Sequence, residues 1–331
     1  MKHSNHLEIN ELLYSLIDIA KSDDAEQAFY YSVSQKFTRI FDVVKNADEF
    51  AMEDFLNSEG SFMGPCTLKR FSNFYNKLCR EYLSILSEYY CGDIYASVNM
   101  LRHMMDYHDF IRKYLDEPLE NYLSTNISDL LNKEKQYWRV VDFDKDIKPN
   151  CWHVPYEMRS KCSPARFSLP LYPCLYLSDS LETAQLEIGN CPAHKVRYYS
   201  NFRKKEGSKL MFVDLTIPTK EDIAQMNDYT KFCLLLKIPL FILCLSHVPQ
   251  EESDYSSHEQ YIFPQLLLHV VLREDTMLGI SYSSTKKSGG INYVIPAKYT
   301  SKEPPHDGYS PILKNVLEEI DCCKELQTNP L

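Results

Sequence analysis

The chain has 331 residues, a formal net charge of −10 and 44% hydrophobic residues, a composition typical of a globular protein with room for two domains. Residues 1–133 carry 13 Lys+Arg against 21 Asp+Glu, and the remainder is nearly neutral, so neither part has the basic surface of a nucleic-acid-binding protein. No apolar run predicts a membrane span and no secretory signal is present at the N-terminus, so we expect a cytoplasmic protein.

The first 133 residues predict a helical domain. The stretches INELLYSLIDIA, QAFYYSVSQKFTRIFDVV, LKRFSNFYNKLCREYLSIL and DIYASVNMLRHMMDYHDFIRKYL carry apolar residues at helical spacing. SEGSFMGPC is the one clear break between them. We expect residues 1–133 to form an all-α bundle and residues 134–331 to form a second domain.

The second domain predicts an α+β fold, because short apolar runs alternate with helical patterns. The strands are expected at YWRVVDF, CLYLS, KLMFVDLTI, PLFILCLSHV, MLGISYSS and INYVIPA. The helices are expected at SLETAQLEI, KEDIAQMNDYTKFCLLL, EQYIFPQLLLHVVL and the terminal SPILKNVLEEIDCC.

Cysteine and histidine spacing predicts neither disulfides nor a metal site. The 11 cysteines include no C-x-x-C pair, and several lie inside apolar runs, so we expect buried free thiols in a reducing compartment. His258-Glu259 begins like a zinc-protease helix, but position 262 is Ile where a second His is required. Dinucleotide and phosphate loops rich in glycine are also absent from the sequence.

One helix carries a carboxylate in an unusual position. In SLETAQLEI, Asp179 is the expected N-cap with Glu182 as its capping-box partner, and Gly189 is the expected C-terminal stop. At about 100° per residue, Leu181, Ala184 and Ile188 form the apolar stripe and leave Glu187 on its flank. That position is neither open solvent nor a comfortable core, which marks Glu187 as a functional candidate.

Isolated polar groups and arginines accompany this helix in four stretches of the second domain. They are YWRVV with Arg139, CWHVPYEMRSKCSPARFS with His153, Arg159 and Arg166, CLYLSDSLETAQLEI with Tyr176 and Glu187, and LGISYSSTK with Ser284. Arginines without acidic neighbours are suited to a dianion such as a pyrophosphate. A tyrosine can stack on a planar base, and a carboxylate can accept hydrogen bonds from ribose. The pattern favours a site that cleaves a glycosidic bond of a dinucleotide.

The segment from Tyr137 to about Tyr299 resembles a RES domain, the family named for its Arg, Glu and Ser. The resemblance is carried by HVPYEMR, RFS, PCLYL and the Glu of AQLEI, followed by YIFPQLLL and GISYSS, in the order that the family keeps. This chain departs from the family at Leu171-Tyr172, where Gly is common. Ser281 and Ser283 flank the aligned Ser284.

The resemblance implies an ADP-ribosyltransferase-like mixed α/β fold with NAD as a substrate, and no further cofactor or metal. Toxins of this family, from bacterial toxin–antitoxin pairs, consume NAD and release nicotinamide. Some use inorganic phosphate as co-substrate, and some transfer ADP-ribose to a protein. An antitoxin or another inhibitory partner, or a homo-oligomer, is compatible with this reading; a membrane is not, and nucleic acid is not favoured.

The resulting site prediction has two parts. The catalytic residues are expected to be Arg166, Tyr176, Glu187 and Ser284. The substrate-binding residues are expected to be Arg139, His153, Arg159 and Gln265. Several have a structural alternative: ion pairs for Arg139 and Arg166, a core position for Tyr176, backbone hydrogen bonds for His153, and a surface position beside Lys195 or Arg197 for Glu187. Trp138 and Trp152 are expected to be packing residues at the domain seam.

Two other functions stay open at this point. The protein could bind a nucleotide or a partner without turnover, for which Leu171-Tyr172 is the only support. Alternatively, Arg102 and His108 match the loose pattern of HEPN-type ribonucleases, although the acidic helical half opposes RNA binding. We expect the helical domain to regulate or assemble the catalytic one.

Overall fold

A computed structural model of the protein describes residues 2–22, 28–58, 66–107, 124–126, 136–144, 150–206, 211–246, 259–299 and 307–324. The chain forms two compact units, Met1–Leu123 with Ile217–Val270, and Ser124–Thr216 with Val271–Leu331. The first is helical and the second is built on a mixed sheet, so the predicted α+β class is confirmed.

The N-terminal helices are α1 Lys2–Lys21, α2 Phe29–Lys45, α3 Glu49–Leu56, α4 Leu68–Tyr90 and α5 Ile94–Tyr107. They are followed by β1 Ser124–Asn126, β2 Tyr137–Asp144, a 3-10 turn Tyr156–Lys161, β3 Cys174–Ser178, α6 Leu181–Ile188, β4 Lys195–Lys204 and β5 Met211–Leu215. The chain continues with α7 Lys220–Gln225, α8 Asp228–Leu245, a 3-10 turn Glu259–Tyr261, α9 Ile262–Arg273, β6 Met277–Ser283, β7 Ile291–Pro296, α10 Pro311–Val316 and β8 Leu317–Lys324.

Helix α8 lies at the centre of the helical unit. Most of its side chains are buried, as expected for a helix that is apolar on every side. The hydroxyl of Tyr75 on α4 donates a hydrogen bond to the carbonyl oxygen of Leu235 at 3.0 Å. The rings of Phe71 and Phe232 pack 6.3 Å apart. The strand expected at PLFILCLSHV is therefore wrong: most of it continues α8 through Pro239, because periodicity does not separate a buried strand from a buried helix.

The two compact units are not the two consecutive domains expected from the sequence. Residues 217–270 group with the N-terminal helices, since α8 packs on α1, α2 and α4. A chain shortened to begin at residue 134 would leave α8 without Phe71 and Tyr75 as packing partners. The domain boundary between residues 133 and 134, which was inferred from the change in sequence pattern, stays a prediction.

The second unit is organised by one eight-stranded sheet in the order β1-β5-β6-β7-β3-β2-β4-β8. Strands β5 and β6 are parallel, and the other neighbouring pairs are antiparallel. One apolar cluster includes Tyr137, Leu175, Leu177, Phe202 and Tyr293. Both tryptophans pack within this unit: the ring of Trp152 lies 5.2 Å from Phe202, and that of Trp138 lies 6.1 Å from Tyr199.

Two strands at one edge of the sheet differ from the sequence prediction. Strand β4 was not predicted, because its polar and aromatic residues alternate without a continuous apolar run. The terminal helix expected over SPILKNVLEEIDCC ends at Val316, and the following residues form β8, which pairs with β4. This short polar segment has no apolar alternation that would predict a strand, and its backbone hydrogen bonds to β4 give it the extended conformation.

The loop before β3 contains a tight turn that is unfavourable for its residue type. The amide of Tyr172 donates to the carbonyl oxygen of Leu169 at 3.1 Å, with Pro170 and Leu171 at the two central positions. Leu171 has φ 64°, and a turn with Pro first and a positive φ second is a type II turn, which favours Gly there. Leu171 is 56% exposed, so packing offers little in return.

We predict that Leu171→Gly stabilises the protein. Removing the β-carbon relieves left-handed strain of about 1–2 kcal/mol, and the entropy of Gly in the unfolded chain returns part of this. The free energy of unfolding measured with urea should rise by roughly 0.5–1 kcal/mol. Leu171→Ala is the matched control, since it removes the exposed side chain but keeps the β-carbon. An equal gain in both variants would show that backbone strain is not the cause.

Candidate active site

Helix α6 begins at a different residue from the one predicted. Ser180 is the N-cap, and its hydroxyl accepts a hydrogen bond from the amide of Thr183 at 3.2 Å. Asp179 instead accepts a hydrogen bond from the Thr183 hydroxyl at 3.0 Å. Glu182 is therefore not a capping-box residue, because the cap lies one position later than expected. The predicted stop at Gly189 is confirmed, with φ 73° at the C-cap.

The face that α6 buries also differs from the prediction. Thr183 and Ala184 are buried, whereas Ile188 is 37% exposed. Glu187 follows these two buried residues by four and three positions, so it lies on the inward side of the helix and not on the flank of an apolar stripe. The helix packs on β2 and β3, and this contact, which hydrophobicity alone does not reveal, decides its orientation.

Glu187 is held by two hydrogen-bond donors from the sheet. Its Oε1 atom accepts from the hydroxyl of Ser284 at 2.6 Å and from the amide Nδ2 of Asn292 at 2.7 Å. Asn292 is buried and its Oδ1 accepts from the Ser178 hydroxyl at 2.7 Å. These bonds hold one carboxylate oxygen in a defined position, while Oε2 has no partner in the part of the chain that the structure describes. The surface alternative for Glu187 is not observed, since Arg197 pairs with Asp142 at 2.9 Å.

Ser284 is positioned by a turn that packs on α6. Its hydroxyl oxygen accepts from the amides of Lys286 at 3.1 Å and Lys287 at 3.0 Å, which directs its proton to Glu187. Gly290 closes the turn, and a β-carbon there would lie 2.8 Å from the Thr183 hydroxyl oxygen. The close approach of turn and helix therefore requires glycine.

The same turn forms ion-pair and backbone contacts on the outside of the helix. The Lys286 ammonium donates to the carbonyl oxygen of Glu187 at 2.9 Å. The Lys287 ammonium pairs with the exposed Glu182 carboxylate at 2.6 Å. An exposed pair of this kind contributes little stability, so Glu182 is a suitable control for Glu187.

Arg139 and Tyr176 lie where the sheet opens. Strands β2 and β3 pair at one position, Trp138 with Ser178, and the carbonyl oxygen of Tyr176 accepts from Nη1 of Arg139 at 3.1 Å. Burial lowers the pKa of Arg139 and raises that of Tyr176 well above its usual value. Arg139 Nε and the Tyr176 hydroxyl are buried without a hydrogen bond of good geometry to the described residues. Such unsatisfied donors suit an anionic or polar ligand.

Tyr176 and the Glu187 network share one face of the sheet. Ser178 follows Tyr176 by two positions on β3, so the two side chains project to the same side. Ser178 is also the residue that hydrogen bonds to Asn292, opposite it on β7. The structure thus brings together Tyr176, Ser178, Asn292, Glu187 and Ser284. Two of these, Ser178 and Asn292, were not predicted as site residues.

His153 makes two backbone contacts. Its Nε2 accepts from the amide of Ser310 at 2.9 Å, so its proton resides on Nδ1, which donates to the carbonyl oxygen of Val154 at 2.8 Å. Burial lowers the pKa of His153 to about 4, and the nearby Arg139 charge acts in the same direction. The ring in this structure is neutral and links the loop to Ser310; its predicted substrate contact stays a prediction.

For three other predicted residues, Arg159, Arg166 and Gln265, the structure gives positions but no contact with Glu187. Arg159 lies on the 3-10 turn with its guanidinium 5.7 Å from the centre of the Tyr156 ring. Arg166 is half-buried before the buried Phe167, whose ring lies 4.7 Å from Tyr282. Gln265 lies on α9 in the helical unit. Their proposed roles stay predictions.

The ribonuclease alternative stays a hypothesis. Arg102 lies exposed on α5, and His108 lies outside the described residues, as does His258. One group in the described part of the chain has the spacing of metal ligands: Cys151, Glu319 and Cys322 each offer an atom within 4.8 Å of the others. It includes neither Glu187 nor Ser284.

The chain belongs to the RES domain family. A family model described as "RES domain" matches residues 136–308, which is more than half of the chain and confirms the predicted family. In a comparison with curated proteins, 202 residues are 30% identical to "Putative toxin YopC" of Bacillus subtilis (strain 168). That match covers 54% of this chain and 45% of the relative, so the chain spans less than half of the relative's length.

No solved structure matches the chain. In the described residues, no helix combines the length and the apolar character needed to cross a bilayer.

We predict a pH dependence of stability from His153. Its pKa is about 4 in the folded protein against 6.5 for an ordinary His, so the unfolded chain binds more protons between these values. The free energy of unfolding should therefore fall as pH decreases from about 6.5 towards 4, by roughly 1 kcal/mol per pH unit from this group. His153→Gln keeps an acceptor for the Ser310 amide and does not titrate. In urea unfolding, the free energy of unfolding should fall more steeply with decreasing pH in wild type than in His153→Gln. Parallel pH dependences in the two proteins would contradict the low pKa of His153.

Proposed function

We propose that this RES-domain protein is an enzyme that cleaves NAD at the bond between nicotinamide and ribose. The observation that carries this proposal is Glu187, whose Oε1 is held by Ser284 and Asn292 while Oε2 is left for a ligand. A carboxylate that is fixed before substrate arrives loses little in reorganising when positive charge develops beside it.

The chemistry assigned to Glu187 follows from the charge of the transition state. When the bond between ribose C1′ and the nicotinamide ring nitrogen breaks, the electron pair leaves with nicotinamide and the ribose becomes oxocarbenium-like. Glu187 Oε2 can accept hydrogen bonds from ribose hydroxyls and stabilise this cation. The contact is stronger in the transition state than in the ground state, which is the condition for rate enhancement.

The split between β2 and β3 is the proposed place for the rest of the dinucleotide. Arg139 offers its buried, unsatisfied Nε and the positive charge of a half-buried guanidinium, which suit a pyrophosphate oxygen. The Tyr176 hydroxyl also lacks a protein partner of good geometry in the described residues, and it lies on the same face as the Glu187 network. Tyr176 is therefore proposed to orient the nicotinamide or ribose.

The acceptor completes the reaction at C1′. Water would give ADP-ribose, inorganic phosphate would give its phosphorylated form, and a protein side chain would become ADP-ribosylated. In each case an oxygen or another nucleophile forms a bond to C1′ and its proton is released to solvent. The relative named as a toxin supports a role as a toxin or defence effector, in which loss of cellular NAD is the harmful event.

An enzyme of this kind must be restrained in its own host. We propose that the helical N-terminal part, or a separate inhibitory partner, does this by limiting access or by setting an oligomer. Its acidic balance is opposite in sign to the arginines that are proposed to bind substrate, Arg139, Arg159 and Arg166.

Glu187→Gln should reduce nicotinamide release from NAD by about 100-fold or more, because the amide cannot stabilise the cation by charge. Release is measured by chromatography on purified full-length protein, with phosphate present and absent. Glu182→Gln is the matched control on the same helix and should retain activity within about two-fold. Equal loss in both variants, or unchanged release in Glu187→Gln, would refute the role of Glu187.

Arg139→Lys should weaken binding of ADP-ribose by about ten-fold or more, because an ammonium does not reproduce the planar geometry of a guanidinium. Calorimetry measures the affinity. Arg203→Lys is the control, since Arg203 lies at the surface of β4 in a pair with Glu318. Unchanged affinity in Arg139→Lys would place the pyrophosphate elsewhere.

A further inference from the structure

Two cysteines that are far apart in the sequence meet in the sheet unit. The Sγ atoms of Cys151 and Cys322 are 3.2 Å apart, although 171 positions separate the residues. Cys151 is fully buried and Cys322 is exposed. A disulfide requires about 2.05 Å between the sulfurs, so an approach of only about 1.2 Å separates the two thiols from a covalent bond.

The backbone on both sides holds this pair in place. Cys322 lies on the edge strand β8, opposite Ser200 of β4, which in turn lies opposite Arg139 of β2. Cys151 precedes His153 by two positions, and the His153 ring is linked to Ser310. The contact therefore joins an edge strand to a loop that is itself connected to the start of α10.

We infer that Cys151 and Cys322 form an oxidisable pair that becomes a disulfide on exposure to a hydroperoxide. The accessible Cys322 thiol reacts with the peroxide to give a sulfenic acid and water (or an alcohol). The Cys151 thiol then attacks that sulfur, forms the S–S bond and releases a second water. Two thiols thus lose two hydrogens, and the peroxide is reduced. This inference does not depend on the proposed NAD chemistry.

The local chemistry distinguishes the roles of the two thiols. Burial raises the pKa of both thiols, and of the two only Cys322 is exposed, so a peroxide reaches the Cys322 sulfur and not the buried sulfur of Cys151. Cys322 is therefore the residue that reacts first, and Cys151 resolves it. The raised pKa values also predict a slow reaction at neutral pH, so an alkaline buffer is the appropriate condition for the test.

A metal site is the alternative for the same group, since Glu319 lies within 4.8 Å of both sulfurs. Tetrahedral zinc with bonds of about 2.3 Å holds two thiolates roughly 3.8 Å apart. The observed 3.2 Å is shorter than this and requires the sulfurs to separate. A disulfide requires them to approach further along the same line, and among the described residues the cluster offers three protein ligands for a metal.

The disulfide has a physical consequence for the sheet. It would close a loop across more than half of the chain and attach β8 covalently to the segment before His153. A cross-link over a long loop stabilises mainly by restricting the unfolded chain. The oxidised protein should therefore unfold at a higher temperature than the reduced one.

The test uses full-length protein that is reduced, freed of reductant and treated with hydrogen peroxide at pH 8.5. Proteolysis and mass spectrometry should find a Cys151–Cys322 peptide that is two hydrogens lighter than the reduced pair. The Tm of the oxidised protein should be higher by about 5 °C or more. Cys322→Ser should abolish both effects, and Cys151→Ala serves if one variant folds poorly. Cys323→Ser is the matched control next in sequence and should retain both.

Three outcomes would overturn the inference. The first is a linked peptide that contains Cys323 in place of Cys322. The second is a pair that stays reduced while the exposed Cys91 is oxidised. The third is one equivalent of zinc in the purified protein that is lost in Cys322→Ser, which would assign the cluster to a metal.

Discussion

The candidate site depends on keeping one half-buried carboxylate in place. A charged oxygen removed from water must find donors, and Glu187 Oε1 finds them in Ser284 and Asn292. Those donors come from two places that only the fold brings to α6: the turn after β6 and the strand β7. The Ser180 cap, the close approach at Gly290 and the buried Ser178 all serve the same geometry.

The second feature of the site is the opening between β2 and β3. Because these strands pair at one position, the Tyr176 carbonyl oxygen takes its hydrogen bond from the Arg139 side chain. The guanidinium is thereby used in part by the protein itself, and Nε is the group left for a ligand. Arg139 can therefore serve both as a structural contact within the sheet and as a ligand-binding residue.

In the helical unit, burial of apolar surface decides which helices pack together, even where they are distant in sequence. Helix α8 is apolar on every side and must be enclosed, and the N-terminal helices provide Phe71 and Tyr75 for this purpose. Gln265 follows in the same unit, although its motif belongs to the RES-domain segment. The family's sequence order and the compact units of this chain are therefore different divisions of the same molecule.

The sequence by itself determined the α+β class, the N-terminal helices, most strands, the RES family and the candidates Glu187 and Ser284, because periodicity and ordered motifs are local properties. It did not determine the inward direction of Glu187, the helix at PLFILCLSHV, the strands β4 and β8, or the part played by Asn292. Nothing in INYVIP marks Asn292 as a hydrogen-bond donor to a carboxylate; its role comes from lying opposite Ser178 on β3. Only the tertiary structure decided these points, because each depends on a partner distant in sequence that supplies the hydrogen bond or the buried surface.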